Sequence, residues 1–311
     1  MITVRSVKKM LVSLGPGNKI TRLSLQIYGF LKGFRIRFSD RKITISRKNQ
    51  KIILSEAQYV QVPWMTVAYD MYFETIASES IDGEVTLNFS QPALHRYTKS
   101  NVEFWFPSIP EDDVMDQYTA HYKPNPGDIV WDVGAHAGAT TYFLSKMVGP
   151  TGMVFAFEPD ESNFEYLTRN IDYHQLSNVT PVKKALARNS GTAQFCMDGT
   201  MNAGLAEFLT YPVRSRSSYQ TVTTVSFADA CSELGGAPRF VKLDIEGAET
   251  DVIDGAQDFL RNNAIDFAIE TEGSTGGEPK SGTLETIYSA IGYRAWSADV
   301  SGQTFMWATR L

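Results

Sequence analysis

Apolar side chains first recur at helical spacing near the start of the chain. Ile20, Leu23, Ile27, Leu31 and Phe34 fall on one stripe, which predicts a short amphipathic helix over residues 20–34. That stripe is expected to pack on the protein itself, with a membrane surface as the alternative resting place. From about residue 35 to 106 the period shortens toward two, in Arg35–Phe38, Lys42–Ser46, Ile52–Leu54, Val85–Phe89 and Val102–Phe106. With turn candidates at Lys48-Asn49 and Asp82-Gly83, this reads as a small antiparallel β layer. Residues 111–122 return to a helical pattern, with Val114, Met115, Tyr118 and Tyr122 on one side, and stop at Pro124-Asn125-Pro126-Gly127.

Beyond that breaker strands and helices alternate, the rhythm of a parallel sheet covered on both faces. Strands are predicted at 129–133, 153–157, 180–186, 192–197, 221–225, 240–243 and 265–269, with helices at 139–147, 161–173, 227–234, 248–260 and 283–291. Residues 293–297 and 304–308, joined around Ser301-Gly302, close the chain as a hairpin. The expected fold is α/β: a Rossmann-like, mostly parallel seven-stranded sheet ending in an antiparallel hairpin, as in class I methyltransferases, plus the smaller N-terminal β-rich layer. The expected division is residues 1–110 as a basic cap, serving substrate or dimer formation, and 111–311 as the main domain. Unpaired β edges in the cap point to a homodimer.

Charge sharpens that division. Residues 1–51 hold thirteen Lys and Arg against one acid, Asp40, a net +12, while the remaining chain carries −18 of the total −6. Such a block suits an anionic membrane, a nucleic acid or the chain's own acidic partner domain. Lys8, Lys9, Lys19, Arg22 and Lys32 interrupt every apolar run that could span a bilayer. With two cysteines, Cys196 and Cys231, and no secretory leader, the expected location is the cytoplasm, with residues 1–51 as the point of any peripheral contact with an anionic membrane.

The candidate chemistry lies after the first strand of the alternating region. Ile129-Val130-Trp131-Asp132-Val133-Gly134-Ala135-His136-Ala137-Gly138 ends a strand and opens a helix. Glycines there let the backbone come close to a ligand, and the helix N-terminus offers N–H groups to a carboxylate or phosphate. A dinucleotide would call for G-x-G-x-x-G, but counting from Gly134 the next two glycine positions hold His136 and Ala139. S-adenosyl-L-methionine has no pyrophosphate and tolerates this looser loop. Asp132 would orient its amine, Gly134, His136 and Gly138 would form the loop around it, and Glu158, at the end of the second strand, would accept the ribose hydroxyls. Asp160 reads as the cap of the helix that follows.

Taken in order, Asp132-Val133-Gly134-Ala135-His136-Ala137-Gly138, Phe157-Glu158-Pro159 with Phe164, Leu167 and Asn170, and Lys242-Leu243-Asp244-Ile245-Glu246-Gly247-Ala248-Glu249 with Gly255-Ala256 resemble the FkbM-type methyltransferases. The resemblance covers residues 124–272 and departs at His136, where many members carry asparagine. It implies S-adenosylmethionine-dependent transfer to a hydroxyl of a sugar, glycan or secondary metabolite.

In such a sheet the C-terminal strand ends face the cofactor crevice. That places Asp244 as first choice for the base or substrate-orienting carboxylate and Glu246 as second, with Lys242 expected to pair with a neighbouring acid. Glu270 and Glu272 would line the acceptor pocket, and Asn202 sits in the loop 198–218, long enough to act as a lid. Tyr118 and His121, just before the first core strand, are expected at packed or solvated positions, with closure of the site from the N-terminal side as the alternative. Two readings stay open beside this one. Asp244, Glu246 and Glu270 would also suit Mg²⁺, which polarises a hydroxyl, and the acids near residue 248 would serve equally as helix caps. A nucleic-acid methyltransferase is disfavoured because residues 124–311 are acidic and lack an Asn-Pro-Pro-aromatic motif. A methyltransferase fold kept as a non-catalytic scaffold is the remaining alternative.

Overall fold

A computed structural model of the chain describes residues 15, 17–81, 83–111, 115–197, 204–208, 218–271, 274–275, 278–300 and 303–311. They divide into two compact units, the first mostly within Met1–Asp113 but taking in Ser218, and the second made of the rest from Val114 onward. No described helix is long and apolar enough to cross a membrane.

The first unit opens with α1 (Lys19–Leu31), capped by Asn18, whose side chain accepts from the Ile20 N–H at 2.8 Å. Strands β1 (Arg35–Ser39), β2 (Lys42–Arg47) and β3 (Gln50–Ser55) follow as an antiparallel meander. Their register sets Ile36 opposite Ile45 and Ile45 opposite Ile52, so one face is a row of buried branched side chains. A 3₁₀ turn (Glu56–Gln61) leads into α2 (Val62–Val67) and α3 (Tyr69–Thr75), before β4 (Glu79–Ile81), β5 (Glu84–Asn88) and the separate pair β6 (Ala93–Arg96) and β7 (Glu103–Phe106).

Two expectations need correction here. Helices α2 and α3 stand where the sequence pattern predicts no element: they are only six and seven residues long, too short for a helical period to stand out, and Val62, Pro63, Met65 and Thr66 bury most of α2. Their insertion supplies the long crossover that lets β5 join β3 in parallel, so the layer is not wholly antiparallel. The second correction concerns α1. Its buried residues are Thr21, Leu25, Tyr28 and Gly29, whereas Ile20, Leu23, Ile27 and Leu31 of the expected packing stripe are exposed; only Phe34, beyond the helix, is buried.

The second unit begins with α4 (Met115–Tyr118), shorter than the expected helix, and then alternates β8 (Ile129–Val133), α5 (Ala139–Val148), β9 (Met153–Phe157), α6 (Glu161–Tyr173) and β10 (Val179–Val182). Strands β11 (Ala185–Leu186), β12 (Gly191–Met197), β13 (Gly204–Leu205) and β14 (Ser218–Val225) form a small sheet of their own. The segment expected as one strand over 180–186 therefore splits between two sheets. After α7 (Phe227–Glu233) come β15 (Phe240–Leu243), α8 (Glu249–Leu260), β16 (Asp266–Thr271), the short pair β17 (Ser274–Thr275) and β18 (Glu278–Pro279), α9 (Lys280–Ala290), β19 (Tyr293–Val300) and β20 (Gln303–Arg310).

The main sheet has seven strands in the order β10-β9-β8-β15-β16-β20-β19. The first five run parallel and β20 is antiparallel to both neighbours, which is the class I methyltransferase arrangement. Alternation along the strands supplies two cores. Trp131, Val133, Val241, Leu243, Phe267 and Ile269 face α7, α8 and α9, while Val130, Val154, Ala156, Phe240 and Ala268 face α4, α5 and α6. Strand order reverses between β8 and β15, and at that switch the C-terminal strand ends open outward.

Candidate functional site

Two loops meet at the switch point. The first follows β8: Gly134 and Ala135 both donate their N–H groups to the Phe157 carbonyl, at 3.0 and 2.9 Å, binding the loop to the end of β9. Gly134, His136 and Gly138 all have positive φ, which for His136 is uncommon backbone held by its surroundings. A Cβ on Gly134 would lie 1.8 Å from the Asp244 carbonyl oxygen. The glycine is thus demanded by the close passage of the second loop, which the sequence pattern alone did not reveal.

Glu158 is buried at the end of β9. One carboxylate oxygen accepts from the His136 N–H at 2.8 Å and the other from the Asp160 N–H at 2.9 Å. Burial pushes this carboxyl up to about 7, against the opposing pull of His136 and the two backbone donors. Each carboxylate oxygen has room for a further donor. Asp160 caps α6 through the Asn163 N–H at 2.9 Å, and Asn170 of α6 donates to the Ala137 carbonyl at 2.8 Å, so α6 also fixes the loop. The N-cap of α5, which starts from this same loop, is Gly138 and so brings no side chain to the helix's free N–H groups.

Asp132 takes a different position from the one expected for an amine ligand. It is fully buried, with one oxygen accepting from the Thr141 hydroxyl at 2.6 Å and the other 3.3 Å from Lys242 Nζ. Lys242, its register partner on β15, also donates to the Gly134 carbonyl at 2.6 Å and lies 3.7 Å from Asp244. The expected pairing of Lys242 with a neighbouring acid is realised, as a buried link between strand and loop. Removing either charge from such a pair would leave the other unpaired at a cost of about 3–5 kcal/mol.

The second loop follows β15. Asp244 continues the ladder by donating its N–H to the Val133 carbonyl at 3.0 Å. Its side chain is about one-third exposed, the most open of this group. Tyr118 donates toward both Asp244, at 3.2 Å, and Glu270, at 3.0 Å, while Gln303 donates to the other oxygen of Glu270 at 2.9 Å. Burial and the two carboxylates raise the Tyr118 phenol well above its ordinary range, so it stays protonated and joins the two acids. Glu246 is half-buried in this loop with positive φ. Glu249 accepts from the Gly247 and Ile245 N–H groups at 2.8 and 3.2 Å, a loop-organising role, and burial pushes its carboxyl to about 7. Lys280 closes the same turn by donating to the Gly247 carbonyl at 2.7 Å.

Of the remaining candidates, Glu272 and Asn202 lie outside the described residues. His121 packs its ring against Trp296 and Trp307, with centroids 5.0 and 4.5 Å away. Among the described residues no three carboxylates, imidazoles or thiols converge in a metal-binding arrangement. Gln303 and Lys280 join the site without a sequence motif to announce them, because what selects them is proximity across 33 residues of chain, while Tyr118, weighed from the sequence as a residue that could close the site, reaches Glu270 across 152.

The model of the FkbM methyltransferase domain matches residues 132–295, just over half of the chain, from the end of β8 to β19. The chain belongs to the FkbM methyltransferase family. Among curated relatives, the hexuronic acid methyltransferase AglP of Haloferax volcanii is 32% identical over 155 residues, 49% of this chain and 59% of that protein. This FkbM-family chain thus spans about three fifths of that relative's length. Methyltransferase 1 of Beauveria bassiana is 25% identical over 178 residues, covering 51% and 69%. Solved structures similar to it include methyltransferase FkbM from Methylobacillus flagellatus KT, with TM-score 0.45 and 16% identity over 61% of this chain and 45% of that one. A SAM-dependent methyltransferase from Aquifex aeolicus has TM-score 0.39 and 17% identity, covering 64% and 93%.

Proposed function

We propose that this chain is an S-adenosylmethionine-dependent O-methyltransferase acting on a hydroxyl of a sugar or glycan. The observation that carries the reading is Glu158: a buried carboxylate at the end of β9, beside the Gly138-capped N-terminus of α5, with acceptor capacity left on both oxygens. Those oxygens suit two vicinal ribose hydroxyls. The first-turn N–H groups of α5 suit the methionyl carboxylate. When bound, the cofactor supplies an electrophilic methyl group on a sulfonium. Asp132 then serves as a support, fixing Lys242 and through it the Gly134 carbonyl.

Asp244 is the residue best placed to take the acceptor's hydroxyl proton, since it alone of the Asp132–Lys242–Asp244–Glu270 group is substantially open. Tyr118 holds Asp244 and Glu270 in fixed orientation, so that positioning rather than a strong base supplies much of the rate. A sugar acceptor is favoured by the relative named as a hexuronic acid methyltransferase.

The test is transfer of label from S-adenosylmethionine to a panel of uronic-acid-bearing and neutral glycans, with the product bond identified by NMR. A labelled methyl ether is expected, and Asp244→Asn should lower kcat by roughly 10²–10⁴-fold while cofactor affinity stays unchanged. Label on nitrogen, or full activity in the Asp244→Asn variant, would overturn the assignment.

A further inference from the structure

Helix α1 is apolar on two opposite sides. Thr21, Leu25, Tyr28 and Gly29 seat it on its own unit. A Cβ on Gly29 would come within 2.5 Å of Ile36 Cδ1, so the helix lies directly on β1 and has no space to roll. The other side presents Ile20, Leu23, Ile27, Phe30 and Leu31, exposed by 52 to 80%. At 3.6 residues per turn these five occupy an arc of about 100°, roughly opposite the buried face. Singly exposed apolar residues are ordinary on soluble proteins, but a continuous stripe of large ones marks an interaction surface.

Charge identifies what lies against it. Lys19 and Lys32, both exposed, bracket the stripe, and residues 1–39 contain eight Lys and Arg and no acid. Arg22 is drawn away to Glu56 on the anchored side. A symmetric pairing of two such helices would set cation against cation with no acid to relieve them. A nucleic acid would match the cations but leave the apolar side chains in water. An anionic bilayer satisfies both: Ile, Leu and Phe enter the acyl boundary while the lysines reach phosphate groups.

The geometry points to α1 as a docking helix that holds this protein, by its Ile20–Leu31 stripe, on an anionic membrane surface. The full chain is mixed with vesicles of phosphatidylcholine alone and of phosphatidylcholine with roughly one-third phosphatidylglycerol, and binding is read by co-sedimentation. Binding is expected with the anionic vesicles and should fall at least about tenfold in the Leu23→Gln/Ile27→Gln/Phe30→Gln variant and in Lys19→Glu/Lys32→Glu. Because these side chains are exposed, both variants should keep the wild-type melting temperature. As a measurement that does not depend on the multiple substitution, Phe30→Trp should shift its emission to the blue on adding anionic vesicles. The proposal is overturned if the chain stays in solution with both vesicle types, or if it binds neutral and anionic vesicles equally. It is also overturned if the stripe variant sediments like the wild type, or if the stripe proves to be a homodimer face that the substitution dissolves in analytical ultracentrifugation.

Discussion

Glu158 shows how one side chain can be held in a costly state by its surroundings. Its carboxyl titrates near 4.5 when unfolded and about 7 in the folded chain, because burial penalises the charge more than two backbone donors relieve it. The folded state therefore binds this proton more tightly than the unfolded state. Its contribution to stability is fully present below about pH 4.5 and is lost as pH rises toward and through 7, by on the order of 3 kcal/mol. Glu249, pushed to about 7 by the same cause, adds to the slope. Urea unfolding at pH 5 and pH 8 should find the ligand-free protein less stable at pH 8, and Glu158→Gln should remove about half of that difference. An unchanged slope in the variant would mean that the carboxyl is not desolvated as the structure places it.

At the level of elements, the site depends on two loops passing at van der Waals limit. Gly134 has φ +80° and its missing Cβ makes room for the Asp244 carbonyl, so Gly134→Ala must separate the ends of β8 and β15. A loss of about 3 kcal/mol or more is expected in denaturant unfolding, together with loss of cofactor binding. Gly235→Ala is the control: its φ is +84° but nothing lies within 4 Å, so it should cost only about 1–2 kcal/mol of backbone strain. Equal losses in the two variants would show that the crowding is not what Gly134 answers to.

Much of this layer was legible in the sequence. Strands Ile129–Val133, Met153–Phe157 and Phe240–Leu243 and helix Glu161–Tyr173 lie where the pattern put them, since a buried parallel strand is a short apolar run and its helix has one polar side. The pattern failed where burial is not one-sided. Helix α2 is buried along most of its six residues, and α3, seven residues long and held by the Phe34–Tyr69 and Tyr72–Phe89 contacts, is too short for a helical period to stand out. For α1 the period was correct and the buried face was not, because both sides of that helix are apolar and a stripe does not say which side the rest of the chain will cover. Site residues divide in the same way. Glu158, Asp244 and Lys242 stand in motifs, whereas Tyr118 and Gln303 reach Glu270 only through the fold.

For the molecule as a whole, the decisive point is where the partners of the site come from. Every described member of the two cores flanking the seven-stranded sheet lies between Met115 and Ala308. Asp132, Glu158, Lys242, Asp244 and Glu270 find described partners between Tyr118 and Gln303. A unit with its own sheet and helices on both faces has what it needs to fold alone. The chain from Val114 to Leu311 should then express as a folded protein, unfold cooperatively in urea, and bind S-adenosylmethionine within about threefold of the full chain, a difference below 1 kcal/mol. Titration calorimetry on the fragment and the full chain measures this directly. A fragment that is folded but binds more than tenfold weaker would show that the first unit contributes to the cofactor site, and the proposed division of labour, with cofactor held by the second unit and surface docking by the first, would have to be abandoned.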